Sequence, residues 1–545
     1  MKLAVKGWPN RGVDVLGVGE GHGAAVAQTD LVKAALEFNV VEAVHVLVDD
    51  IHSPGMYLHP VDGRDGIAHD LIQQFGPDRV LITSLLNAHS CFRERDCLLL
   101  AGGSELTYYA TARPYLANGS FPICSILYAV KWDMLFAAYT YTKLLCQPYD
   151  VLVAPSAAGR EAVEAILGVT SNLTAKSQPV DTVSMPSPQL VNIPLGVDEN
   201  RFIARDRELA RKQFDIPDTA IVILYLGRIT EHFKADLEPL LLATSKLVRE
   251  MPEVCLVLSG QDTQQVYSRM LSELGTVNGI SENLRIIPNI APRLKPFLYS
   301  AADIFVSPVD NIQETFGLAL LEAMASGLPV VASDWSGYRD IIEDGKEGFL
   351  IPTYWNSPVA KIASHFATMM SMSNEYYLAQ RTIVDTNLLY DRLRLLAASP
   401  ELRRECGALG KARVEKLFAW RLVIEKFRNL WLQQLEEFRA APNPFTSPDH
   451  VCFDHDAIFR RYASQSLTVD CRIAADKNLP GGAELLRNRL GYMLNPSLID
   501  AIEMIFEKCS APQTVGELLK DSDRITAEAV LWLLKKGFCH LLPAF

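Results

Sequence analysis

Two glutamates stand eight positions apart in NIQETFGLALLEAMASGLPVVASDWSG, Glu314 and Glu322, on either side of a Phe316-Gly317 step that opens an apolar helical run. On one continuous helix eight steps would leave them about 80° apart. Gly317 favours a later helix start, which puts Glu314 in the loop and Glu322 one turn inside. The backbone N–H groups of Phe316, Gly317, Leu318 and Ala319 would then be the unpaired donors of the helix start, suited to a phosphate or a sugar hydroxyl. Glu314 beside them can accept hydrogen bonds from the hydroxyls of a sugar, and Glu322 two from a ribose diol. The structural alternative is that Glu314 complements the helix dipole and Glu322 lies on a solvated face. Against it, Glu322 stands in LALLEAMA, where an unpaired carboxylate is costly.

A second set comes from LYLGRITEHFK, in which a strand over 221–227 ends at Gly227 and is followed by Arg228 and Lys234. Both cations would emerge on the sheet edge that carries Glu314. A guanidinium fork and an ammonium point charge converging there suit a diphosphate leaving group. Either residue alone would read as a surface charge. The first βα turn, GVGEGHGAAVAQ, carries Gly17, Gly19, Gly21 and Gly23 without the spacing of a dinucleotide fingerprint. It says that the backbone there can approach a ligand closely. His22 within it is a candidate donor or acceptor contact, against the commoner solvated loop histidine.

These residues need elements to hold them. Short apolar runs (VEAVHVLV, DRVLITSLL, CSILYAV, YDVLVAPS) alternate with helical patterns, the mark of parallel βαβ units. The series restarts after PLGVDENRF with AIVILYLGRI, EVCLVLSGQ, NLRIIPNI, ADIFVSPV and PVVASDW. Two such series imply two doubly wound domains facing a cleft, with ligands beyond the carboxyl ends of the strands. The expected division is 1–195, 196–405, helices over 406–440 that return to the first domain, and an accessory module over 441–545. From about 353 to 440 the pattern reads as helical throughout.

Composition narrows the class. The chain has 545 residues, too many for one ordinary core, with 49% hydrophobic and 21% charged residues, a globular profile. A formal net charge of -12 disfavours a non-specific polyanion partner such as nucleic acid. Ten scattered cysteines without a C-x-x-C pair argue against structural zinc and for reduced thiols in a cytoplasm. The start lacks an apolar signal-peptide region. The most apolar run, residues 121–139, holds Lys131 and Asp133 and reads as a buried strand followed by a helix rather than a membrane span.

Taken together, ETFGLALLEAMASGLPVVASDWSGYRDIIEDGKEGFLIP resembles the signature of the retaining glycosyltransferases of family 4, which have the GT-B fold. The likeness extends to GRITEHFK, PLGVDENRF, GHGAAVAQTDLVKAAL and KLFAW, in the family's order, over roughly residues 10–435. It implies transfer of a sugar from a nucleotide donor, UDP- or GDP-linked, with its anomeric configuration kept and with neither metal nor other cofactor. Glu314 would hold the donor sugar and Glu322 the ribose; Arg228 and Lys234 would stabilise the departing diphosphate. The N–H groups of Phe316, Gly317 and Leu318 would bind phosphate and sugar. The backbone of Ile287, Asn289 and Ile290 would face the nucleobase, and Gly21, His22 and Gly23 would line the donor site. One departure is plain: many members carry a histidine after an N-domain strand where this chain reads SILYAVKWDM, so Lys131 or Asp133 is the candidate substitute.

The last hundred residues lie outside the resemblance. PQTVGELLKDSDRITAEAVLWLLKKGFCHLL shows two short amphipathic helices, a stop at Gly537 and a terminal apolar strand, a small helical or winged-helix module. Its charges nearly balance, so capture of a peptide or protein acceptor, or pairing of two copies of the chain, is favoured over nucleic-acid binding. Three functions stay open at this point: a retaining glycosyltransferase, a sugar-nucleotide-binding subunit without activity, and a nucleic-acid-directed protein.

Overall fold

The computed structural model describes residues 1–6, 22–48, 67–84, 87–117, 121–130, 145–177, 187–203, 205–262, 265–355, 374–441, 467–476, 482–490, 496–520 and 524–542. The first apolar series forms β1 (Lys2–Lys6), β2 (Ala43–Val48), β3 (Val80–Ser84), β4 (Cys97–Gly102), β5 (Ile123–Ile126), β6 (Val151–Ala154) and β7 (Gln189–Asn192). They pair in parallel in the order β3-β2-β1-β4-β5-β6-β7. β4, β5 and β6 are buried at every residue, because helices cover both faces of such a sheet.

The second series forms β8 (Ile221–Leu226), β9 (Val254–Gly260), β10 (Leu284–Pro288), β11 (Ile304–Ser307), β12 (Val330–Ser333) and β13 (Gly348–Ile351), again parallel, in the order β10-β9-β8-β11-β12-β13. The order reverses between β8 and β11. Loops leaving neighbouring strands at such a point part to opposite faces and open a crevice.

Among the described residues the chain crosses between the domains at two places that lie side by side. Val197 N–H donates to the Phe418 carbonyl (2.9 Å) and Trp420 N–H to the Val197 carbonyl (3.3 Å). Trp420 lies so close to Gly196 that a Cβ there would fall 2.4 Å from the ring. The helix Pro400–Leu417 stays with the second domain, where the Arg413 guanidinium donates to the Ile341 carbonyl (2.7 Å). Trp420–Ala440 packs on the first, through Gln434 to the Ile123 carbonyl (2.8 Å) and Arg95 to the Phe438 carbonyl (2.8 Å). The return expected at 406 therefore falls at Phe418 to Trp420.

The expectation of helix throughout 353–440 also needs correction: β14 (Thr353–Trp355) and β15 (Thr382–Val384) pair antiparallel. Three-residue strands are too short to imprint a period of two against neighbouring helical patterns.

The C-terminal residues build a separate core of Ile473, Leu498, Ile502, Ile505, Leu518, Leu533 and Phe538. Its three strands, β16 (Arg472–Ala475), β17 (Gln513–Thr514) and β18 (Cys539–Leu541), run antiparallel in the order β17-β16-β18. Thr514 and Glu517 form the reciprocal cap of the helix Val515–Leu519, and Gly537, at φ 76°, ends Arg524–Lys535 before the terminal strand. Among the described residues no helix is long and apolar enough to cross a membrane.

Candidate active site

The loops after β8 and β11, on the two sides of the order reversal, carry Arg228, Lys234 and Glu314, and the helix after the second loop carries Glu322. The helix begins at Leu318 and runs to Ala325, so Glu314 lies in the loop and Glu322 one turn inside. Gly317 makes this geometry: its φ is 122°, and a Cβ would fall 2.5 Å from the Tyr338 ring.

Lys234 donates to Glu314 Oε2. The other carboxylate oxygen accepts from the N–H of Phe316 (3.3 Å), and the hydroxyl of Tyr338 approaches Oε2 at 3.5 Å. Burial pushes the Tyr338 phenol well above its ordinary value, so it stays protonated beside the carboxylate. One expectation changes here. The Phe316 N–H belongs to Glu314 rather than standing open at the helix start, since a loop carboxylate two residues upstream can fold onto it.

Arg228 sits deeper. Its Nη2 donates to the Phe233 carbonyl (2.7 Å) and to Gln313 Oε1 (3.2 Å), which ties the loop after β8 to the loop after β11. The Tyr225 hydroxyl donates to the Arg228 carbonyl (3.0 Å) and occupies the space beside Gly227, where a Cβ would meet it at 2.7 Å. The two cations are thus held in the same few residues of loop, one against Glu314 and the other against Gln313.

Glu322, 6% exposed, is paired: Tyr299 donates to Oε2 (2.8 Å) and the Lys295 ammonium lies 3.4 Å from both oxygens. The buried carboxylate is therefore not the costly orphan that its apolar neighbours suggest. Burial and the carboxylate itself hold the Tyr299 phenol protonated. Both partners come from the helix Lys295–Ala301, which no pattern around Glu322 announces.

At the end of β10, Asn289 takes φ 57° and pairs with Asp262 in both directions: its Oδ1 accepts from Asp262 N–H (2.9 Å) and its Nδ2 donates to the Asp262 carbonyl (2.9 Å). The Ile287 carbonyl accepts from Ser259 (2.7 Å), and Ile287 and Ile290 are partly buried. These residues form the rim beside Gly260, at φ 147°, whose missing Cβ admits the Gly227 carbonyl of the loop after β8. His22 and Gly23 lie in the helix His22–Glu37 of the first domain. Gly21, Lys131 and Asp133 lie outside the described residues.

Gln313 and Tyr338, like Tyr299 and Lys295, are contacts the sequence did not single out. Gln313 directly precedes Glu314 in the chain. Tyr338 follows β12, and only the packing of that strand beside β11 brings it to Glu314.

Residues 206–375 match a family model described as glycosyl transferases group 1. A D-inositol 3-phosphate glycosyltransferase of Geodermatophilus obscurus is 36% identical over 163 residues, covering 29% of this chain and 36% of the relative. One from Nocardioides sp. is 27% identical over 304 residues, 52% of this chain and 59% of its own length. A phosphatidyl-myo-inositol mannosyltransferase of Mycobacterium tuberculosis is 32% identical over 163 residues, 30% of this chain and 39% of the relative. The chain thus spans less than two thirds of the length of each of these relatives. Among solved structures, Anabaena Alr3699/HepE in complex with UDP and glucose is similar at a TM-score of 0.54 and 15% identity, over 79% of this chain and all of that one. Sucrose-phosphate synthase from Thermosynechococcus elongatus is similar at 0.51 and 18%, over 80% and 99%. With two parallel, doubly wound sheets on either side of a cleft, the fold is GT-B.

Proposed function

We propose that this chain is a retaining glycosyltransferase that moves a sugar from a UDP- or GDP-sugar to an acceptor hydroxyl without a metal. The observation that carries the reading is the convergence of Arg228, Lys234 and Glu314 where the strand order reverses, beside the start of the helix Leu318–Ala325. Two fixed cations there suit a diphosphate, and preorganised charge at a leaving group is a main source of rate. Glu314 serves the hydroxyls of the donor sugar and Glu322, braced by Tyr299 and Lys295, the ribose. The N–H groups of Gly317 and Leu318 serve phosphate and sugar, and the rim at Ile287, Asn289 and Ile290 the base.

The acceptor oxygen bonds to the anomeric carbon on the face from which the diphosphate leaves. As the sugar–oxygen–phosphorus link breaks at the sugar carbon, the acceptor proton passes to a phosphate oxygen, and Arg228 and Lys234 take up the charge. The matching family model over 206–375, and relatives that are glycosyltransferases, support the same reaction class. Residues 441–545 form an accessory winged-helix-like module that captures a peptide or protein acceptor or pairs two chains. The helix–strand–helix–helix–strand succession from Pro496 to Leu541 supports the winged-helix reading. The first domain, 1–195, presents the acceptor and the second the donor. A cytoplasmic location accords with the scattered thiols.

The test is a panel of UDP- and GDP-sugars scored by thermal shift and nucleotide release, with and without EDTA, the product anomer being read by NMR. One donor is expected to raise the unfolding temperature and to be consumed equally in EDTA, giving product of the donor's anomeric configuration. A donor that binds without release points to a binding subunit; inversion, or no binding at all, defeats the reading.

A further inference from the structure

We propose that Thr315 and Asp340 are positioning residues that latch the two domains across the cleft, so that Glu314 takes its working place only when the first domain is seated on them. The contacts stand whatever reaction the site performs; their catalytic consequence rests on the function proposed above.

Thr315 lies between Glu314 and Phe316, yet its hydroxyl donates out of its own domain. Oγ1 is 3.0 Å from the Tyr128 carbonyl and 3.3 Å from the Leu127 carbonyl, both just past the end of β5 in the first domain. Thr315 is 2% exposed, so this shared bond is made largely away from water. At the rim a second bond crosses in the opposite direction. Asp340 Oδ2 accepts from the N–H of Ala157 (2.7 Å), the first residue of the helix Ala157–Ser177 of the first domain. A carboxylate from one domain thereby caps the positive end of a helix of the other.

Between these points the two surfaces approach closely. A Cβ on Gly337 would fall 2.4 Å from the Thr315 carbonyl oxygen and 3.0 Å from the Ser156 side chain. A Cβ on Gly159 would meet Ser156 at 3.1 Å and Thr315 at 3.9 Å. The turn Ser156–Gly159 of the first domain thus seats between Thr315 and Gly337 of the second. Among the described residues the chain passes between the domains where Val197 and Ala419 run side by side, a pair of crossings suited to pivoting. Rotation there would break the bonds of Thr315 and Asp340. Because Thr315 is bonded directly to Glu314 and Phe316, the same rotation would disturb the Glu314 carboxylate that receives Lys234 and the Phe316 N–H. Tyr128 and Leu127 stand in the SILYAV stretch where the resembling family carries its histidine. Here that place supplies two carbonyls to the latch.

The experiment measures inter-domain distances by electron–electron double resonance, with spin labels at the exposed positions Tyr108 and Val277 of the full chain, together with steady-state kinetics and the dissociation constant for UDP. Thr315→Val keeps the branched shape and removes the donor; Thr315→Ser restores it; Asp340→Asn removes the charge. Thr315→Val is expected to broaden the distance distribution, with the closed population and kcat falling together by about 2- to 12-fold while the UDP constant stays within about twofold. Adding Asp340→Asn should deepen both losses, and Thr315→Ser should restore both. An unchanged distance distribution in Thr315→Val overturns the latch. So does a UDP constant that rises in step with the loss of kcat, since Thr315 would then only hold its own loop. If the wild-type chain turns over no nucleotide sugar, the proposed function fails while the distances still decide the latch.

Discussion

Two charge pairs divide the molecule by what they leave open. In the first domain Arg113 and Asp150 are both fully buried, with Nη2 to Oδ2 at 2.6 Å. The Asp150 carboxylate also accepts from Gln147 N–H (2.8 Å) and Ile123 N–H (3.0 Å), so it fixes three separate pieces of chain. In the cleft Lys234 and Glu314 keep 20% and 11% of their side-chain surface, and their neighbours are a tyrosine hydroxyl and the N–H of Phe316. Similar chemistry serves two ends: a pair sealed on all sides can only hold structure, while one open to a crevice can exchange its partner for a substrate's charge.

Breaking the sealed pair should have the largest effect, and on folding. Asp150→Ala strands a buried guanidinium and two backbone donors, with an expected loss of about 3 to 5 kcal/mol in a denaturant melt. A melt like that of the wild type would remove the contrast. Breaking the open pair should act on turnover instead. Glu314→Gln keeps the shape and the acceptor for Phe316 but loses the charge facing Lys234. It is expected to lower kcat by roughly 10- to 150-fold, a charged hydrogen bond of about 1.5 to 3 kcal/mol, with the melt near wild type. A large loss of stability with little loss of turnover would place this pair with the first.

A third carboxylate sharpens the comparison because, among the described residues, no cation pairs with it. Asp310, just past β11, accepts a long bond from Asp236 N–H (3.4 Å), and burial, then the nearby Asp236, push its carboxyl from 3.8 up to about 7. The folded state therefore holds a proton that the unfolded state releases, so stability is lost as pH rises between these two values. Asp310→Asn is expected to add on the order of 1 kcal/mol at pH 8 and little near pH 4, read from melts at each pH. A gain independent of pH would show that the group is charged throughout.

Much of this site was legible in the sequence because its parts are local. Glu314 and Glu322 flank one helix start, and Arg228 and Lys234 follow one strand end. Paired apolar series fixed the two-domain expectation, since each strand buried on both faces must be apolar along its length. What was not legible depends on packing between distant segments. Tyr338 reaches Glu314 through the β11–β12 pairing, and Tyr299 with Lys295 reaches Glu322 from another helix. The short β14–β15 pair left no alternation to see. The crossing at Phe418 to Trp420 is set by how Trp420 covers Gly196, which a helical pattern running through 406 does not disclose.

The most direct test of the central claim, that the open crevice carries the chemistry, is single-turnover sugar transfer by Arg228→Ala at saturating donor, beside its melt. Arg228 bridges the two site loops through Gln313 and Phe233 without sealing a core. The account predicts a rate about 10- to 150-fold below wild type with unfolding close to it. A wild-type rate, with the donor that the wild type prefers, would contradict it.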